Sequence, residues 1–544
     1  MRVYRKTRSS ADLLVLSIPL LVLFLTQLAC SRSYYSAPEL TATVEADPLY
    51  VTATQDPSQI PSVIPTRVSA TSSPTAGVPT VSPPTSTPNP TDSAPTIEPT
   101  SSTVTPPPPI LYYTQSGDIL PSIAFRFGVS IPEITSPQDI PPTGLIQPGT
   151  LLVIPDVVEA PGPGEIAMPD SEVVFSPSAL DFDTNAFVED AGGYLSKYRE
   201  YLVTGWQSGA QIIDRVAIEN SINPRLLLAI LEYKSHWVYG TPDSLAKIDY
   251  PMGFVDFNKK GLYQQLSWAV SQLSVGYYDW RAGLLNKVTL TNGEQVHISP
   301  ELNAGTVSLQ NLFSQIIDDR GRWVEALYGD KSLPQLYKRM FGDPWARAQS
   351  VEPLYPPNLT QPILELPFMQ GRSWAFTGGP HSAWGPDGAR AALDFAPPSS
   401  ESGCATSQDW VTASAPGQVV RSENGQVVVD MDGDGREQTG WSMLYLHVST
   451  KDRIPVGSFV NSGDRLGHPS CEGGIVTGTH VHIARKYNGE WILADGALPF
   501  NLNGWVAHSG SKIYEGTLTK DDQVAVARPN GSHDSLILHT VENP

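Results

Sequence analysis

Residues 478–484 read Gly-Thr-His-Val-His-Ile-Ala, and the alternation of histidine with apolar residues in this stretch is typical of a β-strand. On a β-strand, residues two positions apart point to the same face, so His480 and His482 project together. Val481 and Ile483 then pack on the opposite face. Two imidazoles on one side of a rigid strand can serve one metal site, as two ligands or as a ligand and a base. A His-x-His pair alone is weak support for a metal site, because many such pairs are surface or structural histidines without a functional role.

The residues around this stretch have the composition of an antiparallel β domain. From residue 365 to 510 the chain is rich in Gly, Val and Trp, with short apolar runs separated by turns about every 8–12 residues. We expect strands at Gln418–Arg421, Gln426–Met431 and Ser442–Val448.

Three more residues in this segment have the character of site residues. His447 lies near the end of an apolar strand, and His381 lies in the stretch Gly-Gly-Pro-His. Asp394 stands between Leu393 and Phe395, where a carboxylate is costly to bury without a cation. A chance occurrence of these three residues together with the His-x-His pair is a poor explanation, so we interpret the set as one functional site.

This set resembles the lysostaphin and beta-lytic metallopeptidase family over roughly residues 370–510. The family pattern is a His, an Asp on a following strand, a later strand His and a terminal His-x-His. In the commoner branch the first His lies four residues before the Asp, where this chain has Arg390. In the beta-lytic branch a Gly-Gly-x-His precedes the Asp by about thirteen residues, and His381 fits that branch.

The resemblance implies a catalytic site with one Zn²⁺. His381, Asp394 and His482 would be the ligands, leaving a fourth position for water. His480 would take the proton from that water as it attacks a peptide carbonyl. His447 would stabilise the oxyanion or share the role of the base, and the two roles cannot be ranked from sequence.

The remaining cysteines fit an exported domain. The chain has three cysteines, and Cys30 belongs to the N-terminal signal, where we expect it to carry a lipid. We expect the other two, Cys404 and Cys471, to form a disulfide. Two free buried thiols are the alternative.

An acidic stretch, Asp430-Met431-Asp432-Gly433-Asp434-Gly435, looks like the first half of a Ca²⁺ loop. The twelfth position is Trp441 rather than Glu. We therefore keep Ca²⁺ at Asp430, Asp432 and Asp434 as a minor hypothesis beside a tight acidic turn.

The N-terminus has the form of an export signal. Basic residues within positions 2–8 precede an uncharged apolar run, Leu13–Ala29, which ends at Cys30. Residues 1–30 resemble a bacterial lipoprotein signal with a lipidated Cys30, although Gln27 replaces the usual Leu. An uncleaved anchor and a plain secreted form are the alternatives. Residues 31–109, rich in Pro, Thr and Ser, should form an extended, disordered linker.

Residues 110–156 predict a small module. Strands are expected at Tyr112–Thr114 and Thr150–Ile154, with helical spacing of apolar residues over 119–127. The segment resembles the LysM domain, a β-α-α-β module, which implies binding to N-acetylglucosamine-containing glycans. A generic small α+β domain is the alternative.

Residues 170–355 predict an all-α domain. Asn223 should cap a helix with Pro224 at its first position. The segment resembles lysozyme-like lytic transglycosylases, but Lys234 stands where their catalytic Glu precedes the Ser. Glu232 lies about 200° around the helix from it. We interpret the domain as non-catalytic, either glycan-binding or structural. An active glycosidase with a rearranged acid and an unrelated helical domain are the alternatives.

The chain as a whole predicts a multidomain envelope protein. Its net charge of −20 argues against a nucleic-acid partner, which requires a basic face. We expect a zinc metalloendopeptidase that is exported, is tethered by its lipid to the outer face of the cytoplasmic membrane or lies in the cell envelope, and acts on peptidoglycan. An inactive wall-binding scaffold or activator of other hydrolases is the rival hypothesis. Residues 511–544 form a C-terminal extension without an assigned role.

Overall fold

The computed structural model describes residues 107–202, 204–356, 358–474 and 476–540. The predicted signal at 1–30, with its lipidated Cys30, and residues 31–106 of the predicted linker lie outside the described residues. Within the described part of the chain, no helix combines the length and the apolar composition needed to cross a bilayer.

The first folded segment pairs short strands around a helix. Its elements are β1 (Ile110–Tyr113), α1 (Leu120–Phe127) and β2 (Leu151–Ile154). Tyr112 and Phe127 meet edge to face in its core, with ring centroids 5.2 Å apart. The second helix expected for a β-α-α-β module is a single 3₁₀ turn, Ile131–Glu133. The chain returns to extended backbone directly after it, because Thr135 forms an antiparallel bridge to Val153.

The next segment, residues 170–355, is mainly helical, as predicted. Its helices are α2 (Thr184–Ala191), α3 (Tyr194–Lys197), α4 (Gly209–Asn220), α5 (Pro224–Ser235), α6 (Leu245–Asp249), α7 (Leu262–Ala282), α8 (Ala304–Ser314), α9 (Arg320–Tyr328), α10 (Leu333–Phe341) and α11 (Pro344–Ala348). Hairpins β3 (Arg199–Leu202) with β4 (Gly205–Ser208) and β5 (Lys287–Thr289) with β6 (Gln295–His297) correct the all-α prediction. Asn223 caps α5 by accepting the Arg225 N–H, and Pro224 is the first helical residue, as the sequence indicates.

The C-terminal segment is built from strands. They are β7 (Ser373–His381), β8 (Ala392–Ala396), β9 (Val411–Thr412), β10 (Gly417–Glu423), β11 (Gln426–Asp430), β12 (Trp441–Leu446), β13 (Phe459–Val460), β14 (Arg465–Gly467), β15 (Val481–Tyr487), β16 (Glu490–Trp491), β17 (Asn501–Leu502), β18 (Trp505–Ser509), β19 (Gly516–Lys520), β20 (Gln523–Val526) and β21 (Leu536–Leu538). The three strands expected from the sequence are present as β10, β11 and β12, with ends shifted by one or two residues.

A nine-stranded antiparallel sheet dominates the part of this segment that the structure describes. Its order is β13-β10-β11-β12-β15-β8-β7-β21, with β16 paired to β15. Both faces are covered: Val427 and Val429 pack in the core of the β segment, whereas Val428, Leu444 and Ala484 join the core of the helical segment. Burial on both faces explains why β11 reads as a continuous apolar run rather than an alternating one.

Residues 511–540 are part of this β segment rather than an appended tail. Strands β19 and β20 belong to a separate four-stranded sheet, and β21 pairs with β7 through Leu536↔Ala375 and Leu538↔Ser373. The main sheet therefore continues past the boundary expected at residue 510. A three-residue strand with a distant partner has no local signal by which the sequence could mark it.

The hairpin between β15 and β16 projects into the helical segment. Asn488 and Gly489 form its tight turn, with φ of 47° and 79°. A Cβ on Gly489 would overlap the Phe175 carbonyl oxygen, so the turn lies directly against the helical segment. The Trp491 N–H donates to the Tyr278 hydroxyl at 3.0 Å and fixes the hairpin on α7.

Arg281, near the end of α7, connects all three segments. Its buried guanidinium lies 3.3 Å from Glu490 of the hairpin and 2.8 Å from Asp170 of the helical segment. Its carbonyl accepts the Ser122 hydroxyl of α1 at 2.8 Å, and its guanidinium lies over the Tyr355 ring. The carboxylates of Asp170 and Glu490 depend on this cation, because a buried unpaired charge costs several kcal/mol.

Arg281→Ala should destabilise the chain by about 3–5 kcal/mol, because it leaves the carboxylates of Asp170 and Glu490 buried without their cation. Urea unfolding of the purified chain measures the loss. Arg322→Ala is the matched control, since it removes an exposed pair with Asp318 and should cost about 0.3–0.5 kcal/mol. Equal losses for the two variants would contradict the bridging role of Arg281.

Glu352 makes the same region sensitive to pH. It accepts the Ser171 N–H at 2.8 Å, and burial together with the nearby Asp170 raises its pKa to about 7. A raised pKa in the folded state means that its contribution to stability is complete below the ordinary pKa of Glu and is lost as the pH rises to about 7.

Glu352→Gln, which keeps the acceptor oxygen and removes the charge, should therefore raise the melting temperature at pH 8 and leave it nearly unchanged at pH 4.5. The exposed Glu301→Gln should change neither value. An equal effect of Glu352→Gln at both pH values would contradict the burial of an ionising group here.

Candidate metal centre and active site

Three adjacent strands bring the predicted metal ligands together. Asp394 on β8 pairs directly with His482 on β15 on one side and with Gly378 on β7 on the other. His381 is the last residue of β7, and register shifts before it re-aim its side chain toward Asp394. The candidate ligand atoms of His381, Asp394 and His482 all lie within 4.8 Å of one another.

Gly378 makes room for this arrangement. A Cβ at this position would overlap Oδ2 of Asp394, its cross-strand partner. The glycine in the Gly-Gly-Pro-His stretch therefore allows the carboxylate to lie across β7. Its role is close approach rather than an unusual backbone conformation.

The hydrogen bonds of the two ligand rings determine which nitrogens carry protons. His381 Nδ1 lies 2.8 Å from the Gly379 carbonyl, and His482 Nε2 lies 3.1 Å from the Ala383 carbonyl. A carbonyl can only accept, so these nitrogens carry the hydrogens in the neutral rings. His381 Nε2 and His482 Nδ1 then both direct lone pairs inward, 3.0 Å from each other.

The carboxylate completes a set of converging acceptors. Asp394 Oδ1 lies 3.3 Å from His381 Nε2 and 3.2 Å from His482 Nδ1, and it has no hydrogen-bond donor. Three buried acceptors that face one another repel unless a cation lies between them. Two imidazole nitrogens and one carboxylate oxygen are ligands typical of catalytic zinc, so the residues fit a metal ion.

His480 and His447 lie beside this cluster, as the sequence predicts. His480 Nε2 is 3.8 Å from Asp394 Oδ1, and the His447 ring centroid is 4.6 Å from that of His480. His480 Nδ1 lies 2.8 Å from the Gly478 carbonyl, and His447 Nδ1 lies 2.7 Å from the Glu472 carbonyl. In the neutral rings both Nε2 atoms are therefore acceptors.

The charges in the site shift several ionisation equilibria. Burial favours the neutral carboxyl of Asp394, but the positive charge that His381 and His480 carry when they are protonated outweighs burial and holds the pKa of Asp394 well below the usual range. Burial, together with the neighbouring His480 and His482, lowers the pKa of His447 well below that of an ordinary histidine. His447 is therefore a neutral ring at neutral pH.

Arg390, which occupies the position of the first His in the commoner branch, lies apart from the cluster. Burial raises the pKa of Asp279 on α7, and the charge of Arg390 offsets part of that rise. His381 rather than Arg390 is the residue beside Asp394.

Cys404 and Cys471 form a disulfide at the edge of the site, with their Cα atoms 5.7 Å apart. The alternative of two free thiols is wrong. The bond connects a loop of the cleft wall to the segment directly before the His-x-His.

The acidic stretch forms a turn in which backbone N–H groups of the turn donate hydrogen bonds to its carboxylates. Asp430 accepts the N–H groups of Asp432 at 3.2 Å and Gly435 at 2.8 Å, and Asp434 accepts the Thr439 hydroxyl at 2.6 Å. Asp430, Asp432 and Asp434 lie close together. These contacts are those of a tight acidic turn, and the Ca²⁺ hypothesis remains without support.

The ligand cluster lies in a cleft of about 1710 Å³. Its walls include the loop at 397–409 and Tyr514, whose ring stacks on His381 with centroids 4.2 Å apart. Tyr514 also ties its loop to β7, because its carbonyl accepts the Gly379 N–H at 2.9 Å. No motif around Tyr514 marks it as a site residue, so its place beside His381 was not predicted from the sequence.

The helical segment carries no carboxylate at the position of Lys234. Glu232 is buried and accepts the N–H groups of Val238 and Tyr239 at 2.9 and 3.1 Å, so its carboxylate is engaged by the backbone. Burial lowers the pKa of Lys234. The absence of a catalytic role for this segment remains a prediction.

Gly378→Ala should lower Zn²⁺ affinity about 10–100-fold, the usual cost of disturbing a ligand's support, because the new methyl group displaces Asp394. Competition with a metal chelator measures the affinity. Gly478→Ala is the control, since it also lies in the cleft but its Cβ would approach no atom closer than 3.5 Å. Unchanged affinity in Gly378→Ala would show that Asp394 is not a ligand.

Comparison with known proteins supports the sequence interpretation. Residues 112–155 match the family model of the LysM domain, and residues 166–356 match the model of the LasA N-terminal domain. Protease LasA of Pseudomonas aeruginosa strain PAO1 is 29% identical over 313 residues, covering 52% of this chain and 68% of that protein. Protease LasA of strain UCBPP-PA14 matches with the same identity and coverage. The lysozyme-like resemblance of the helical segment stays a prediction.

Solved structures similar to this chain include two peptidases. The M23 metalloprotease pseudoalterin from the deep sea is 24% identical, with a TM-score of 0.26, over 31% of this chain and 96% of that one. The catalytic domain of lysostaphin from Staphylococcus simulans is 20% identical, with a TM-score of 0.17, over 23% of this chain and 89% of that one. The LysM match, the LasA N-terminal match and the similarity to Protease LasA confirm the predicted relationship of the chain to the lysostaphin and beta-lytic metallopeptidase family.

Proposed function

We propose that the chain is a zinc metalloendopeptidase that hydrolyses peptide bonds in the cross-links or stem peptides of peptidoglycan. The observation that carries this proposal is the convergence of His381 Nε2, Asp394 Oδ1 and His482 Nδ1 as unprotonated acceptors in an open cleft. The similarity to Protease LasA supports a peptidase.

Backbone carbonyls orient the two histidines among the proposed ligands. Each ring donates its outer N–H to a backbone carbonyl, which fixes the tautomer and directs the other nitrogen inward. A bound Zn²⁺ supplies Lewis acidity that polarises oxygen atoms of water and substrate. The chain's own residues provide the proton transfers.

His480 and His447 are placed to move protons. Because each donates its Nδ1–H to a carbonyl, each neutral ring offers Nε2 as an acceptor. Either ring can take the proton of the attacking water and later deliver it to the leaving amine. A ring becomes a donor to the oxyanion only after it has been protonated, so stabilisation of the oxyanion by His447 follows a proton transfer.

The other segments of the chain have proposed roles that agree with peptidoglycan as the substrate. We propose that the LysM domain at 110–156 binds the glycan and that Cys30 carries a lipid that anchors the exported chain to the outer face of the cytoplasmic membrane. The helical segment at 170–355 would bind glycan or serve as structural support. An inactive scaffold is not favoured, because all five side chains that the chemistry requires converge in the cleft.

His482→Ala should abolish both the single bound zinc and the release of amino groups from purified peptidoglycan, since it removes a ligand. His447→Ala should keep the zinc and lose activity by about 10²–10⁴-fold, because it removes a proton acceptor. Metal analysis and amino-group assays on the purified chain measure the two properties separately.

His508→Ala is the control, because that side chain is exposed and bonds Thr519 away from the cleft. It should keep both zinc and activity. Zinc retained by His482→Ala would refute the ligand set, and new sugar ends without new amino groups would point to a glycosidase instead.

A further inference from the structure

His447 has a backbone conformation that needs outside support. Its φ of +67° lies in the left-handed region, which is unfavourable for a residue with a side chain. The residue directly follows β12, whose ladder ends at Leu446. Such strain persists only where the surroundings hold it, and it is concentrated at functional sites.

A tripeptide, Ser470-Cys471-Glu472, holds His447 from two sides; we refer to it as the clip. The His447 carbonyl accepts the Ser470 N–H at 2.7 Å and the Ser470 hydroxyl at 3.0 Å. The His447 ring donates its Nδ1–H to the Glu472 carbonyl at 2.7 Å. The clip thus holds both the backbone and the ring tautomer of this residue.

The clip is itself anchored through Glu472 and Cys471. The Glu472 carboxylate accepts the Thr450 N–H at 2.8 and 2.9 Å and the Thr450 hydroxyl at 2.5 Å. Cys471 is bonded to Cys404, which lies between the cleft-lining residues Gly403 and Ala405. The residues beside Cys404 also hold the strand of His480, because the Thr479 N–H donates to the Gly403 carbonyl at 3.1 Å.

We propose that the clip is a positioning device for His447, with Glu472 as its positioning residue, and that its disulfide makes catalysis dependent on oxidation. This inference rests on the proposed function. A dithiol reductant supplies two electrons and two protons, the S–S bond breaks to two thiols, and the reductant is oxidised to a disulfide. The clip then relaxes away from His447, while the strands that carry the metal ligands keep their pairing.

The test compares Glu472→Ala, Glu472→Gln and a Cys404→Ser/Cys471→Ser double variant with the zinc-loaded chain. A displacement of about 1 Å can lower the rate roughly 10²-fold, so kcat should fall by that order in Glu472→Ala and in the double variant. KM and zinc content should stay unchanged. Glu472→Gln should retain most of kcat, because its amide oxygen still accepts from Thr450. Glu301→Gln, on the helical segment, is the control.

A second readout does not depend on activity. Nitrogen NMR of the imidazoles should show His447 as the Nδ1–H tautomer in the oxidised chain, and mixed tautomers in Glu472→Ala or after reduction. An unchanged tautomer and kcat would overturn the proposal, as would loss of zinc in parallel with kcat. If the parent chain binds zinc without releasing amino groups, the proposed function fails, and the tautomer still decides whether the clip positions His447.

Discussion

Arg281 connects the three folded segments, through ion pairs with Asp170 and Glu490 and through its carbonyl, which accepts the Ser122 hydroxyl. Its guanidinium neutralises Glu490, which lies on the strand following β15. Strand β15 carries His482 near its other end, so one strand reaches from the candidate metal site to the core of the helical segment. The geometry of the site is therefore coupled to the packing of residues that take no part in chemistry. This arrangement gives a physical reason for a helical segment beside a peptidase domain without requiring activity of its own.

The main sheet provides the rigidity that such a site needs. Because both of its faces are buried, β8 and β15 cannot twist independently, and the His482–Asp394 pairing is held on both sides. Backbone carbonyls complete the arrangement. Each of the four site histidines donates one ring N–H to a carbonyl, so their orientation depends on the backbone and not on mobile side chains.

Much of the site could be predicted from the sequence because its signals are local. The alternation around Val481 places His480 and His482 on one face, and the Gly-Gly-Pro-His stretch selects His381 through its resemblance to the beta-lytic branch. Other features depend on contacts between distant residues. Tyr514 reaches His381 through a loop, and the Glu472 carbonyl that orients His447 carries no side-chain signature. The predicted second helix of the LysM domain is absent for a similar reason. The bridge between Thr135 and the distant Val153 keeps the backbone extended where the helix would have continued.

The pairing of β21 with β7 bears on the order in which the chain acquires its native contacts. Strand β7 carries His381, and its outer edge is covered only when residues 536–538, far along the chain, have paired with it. Until then an extended strand with unpaired N–H and C=O groups is open to pairing with other nascent chains. An early end of translation would leave that edge bare. The last strand of the β segment thus protects the strand that carries His381 from pairing with other chains.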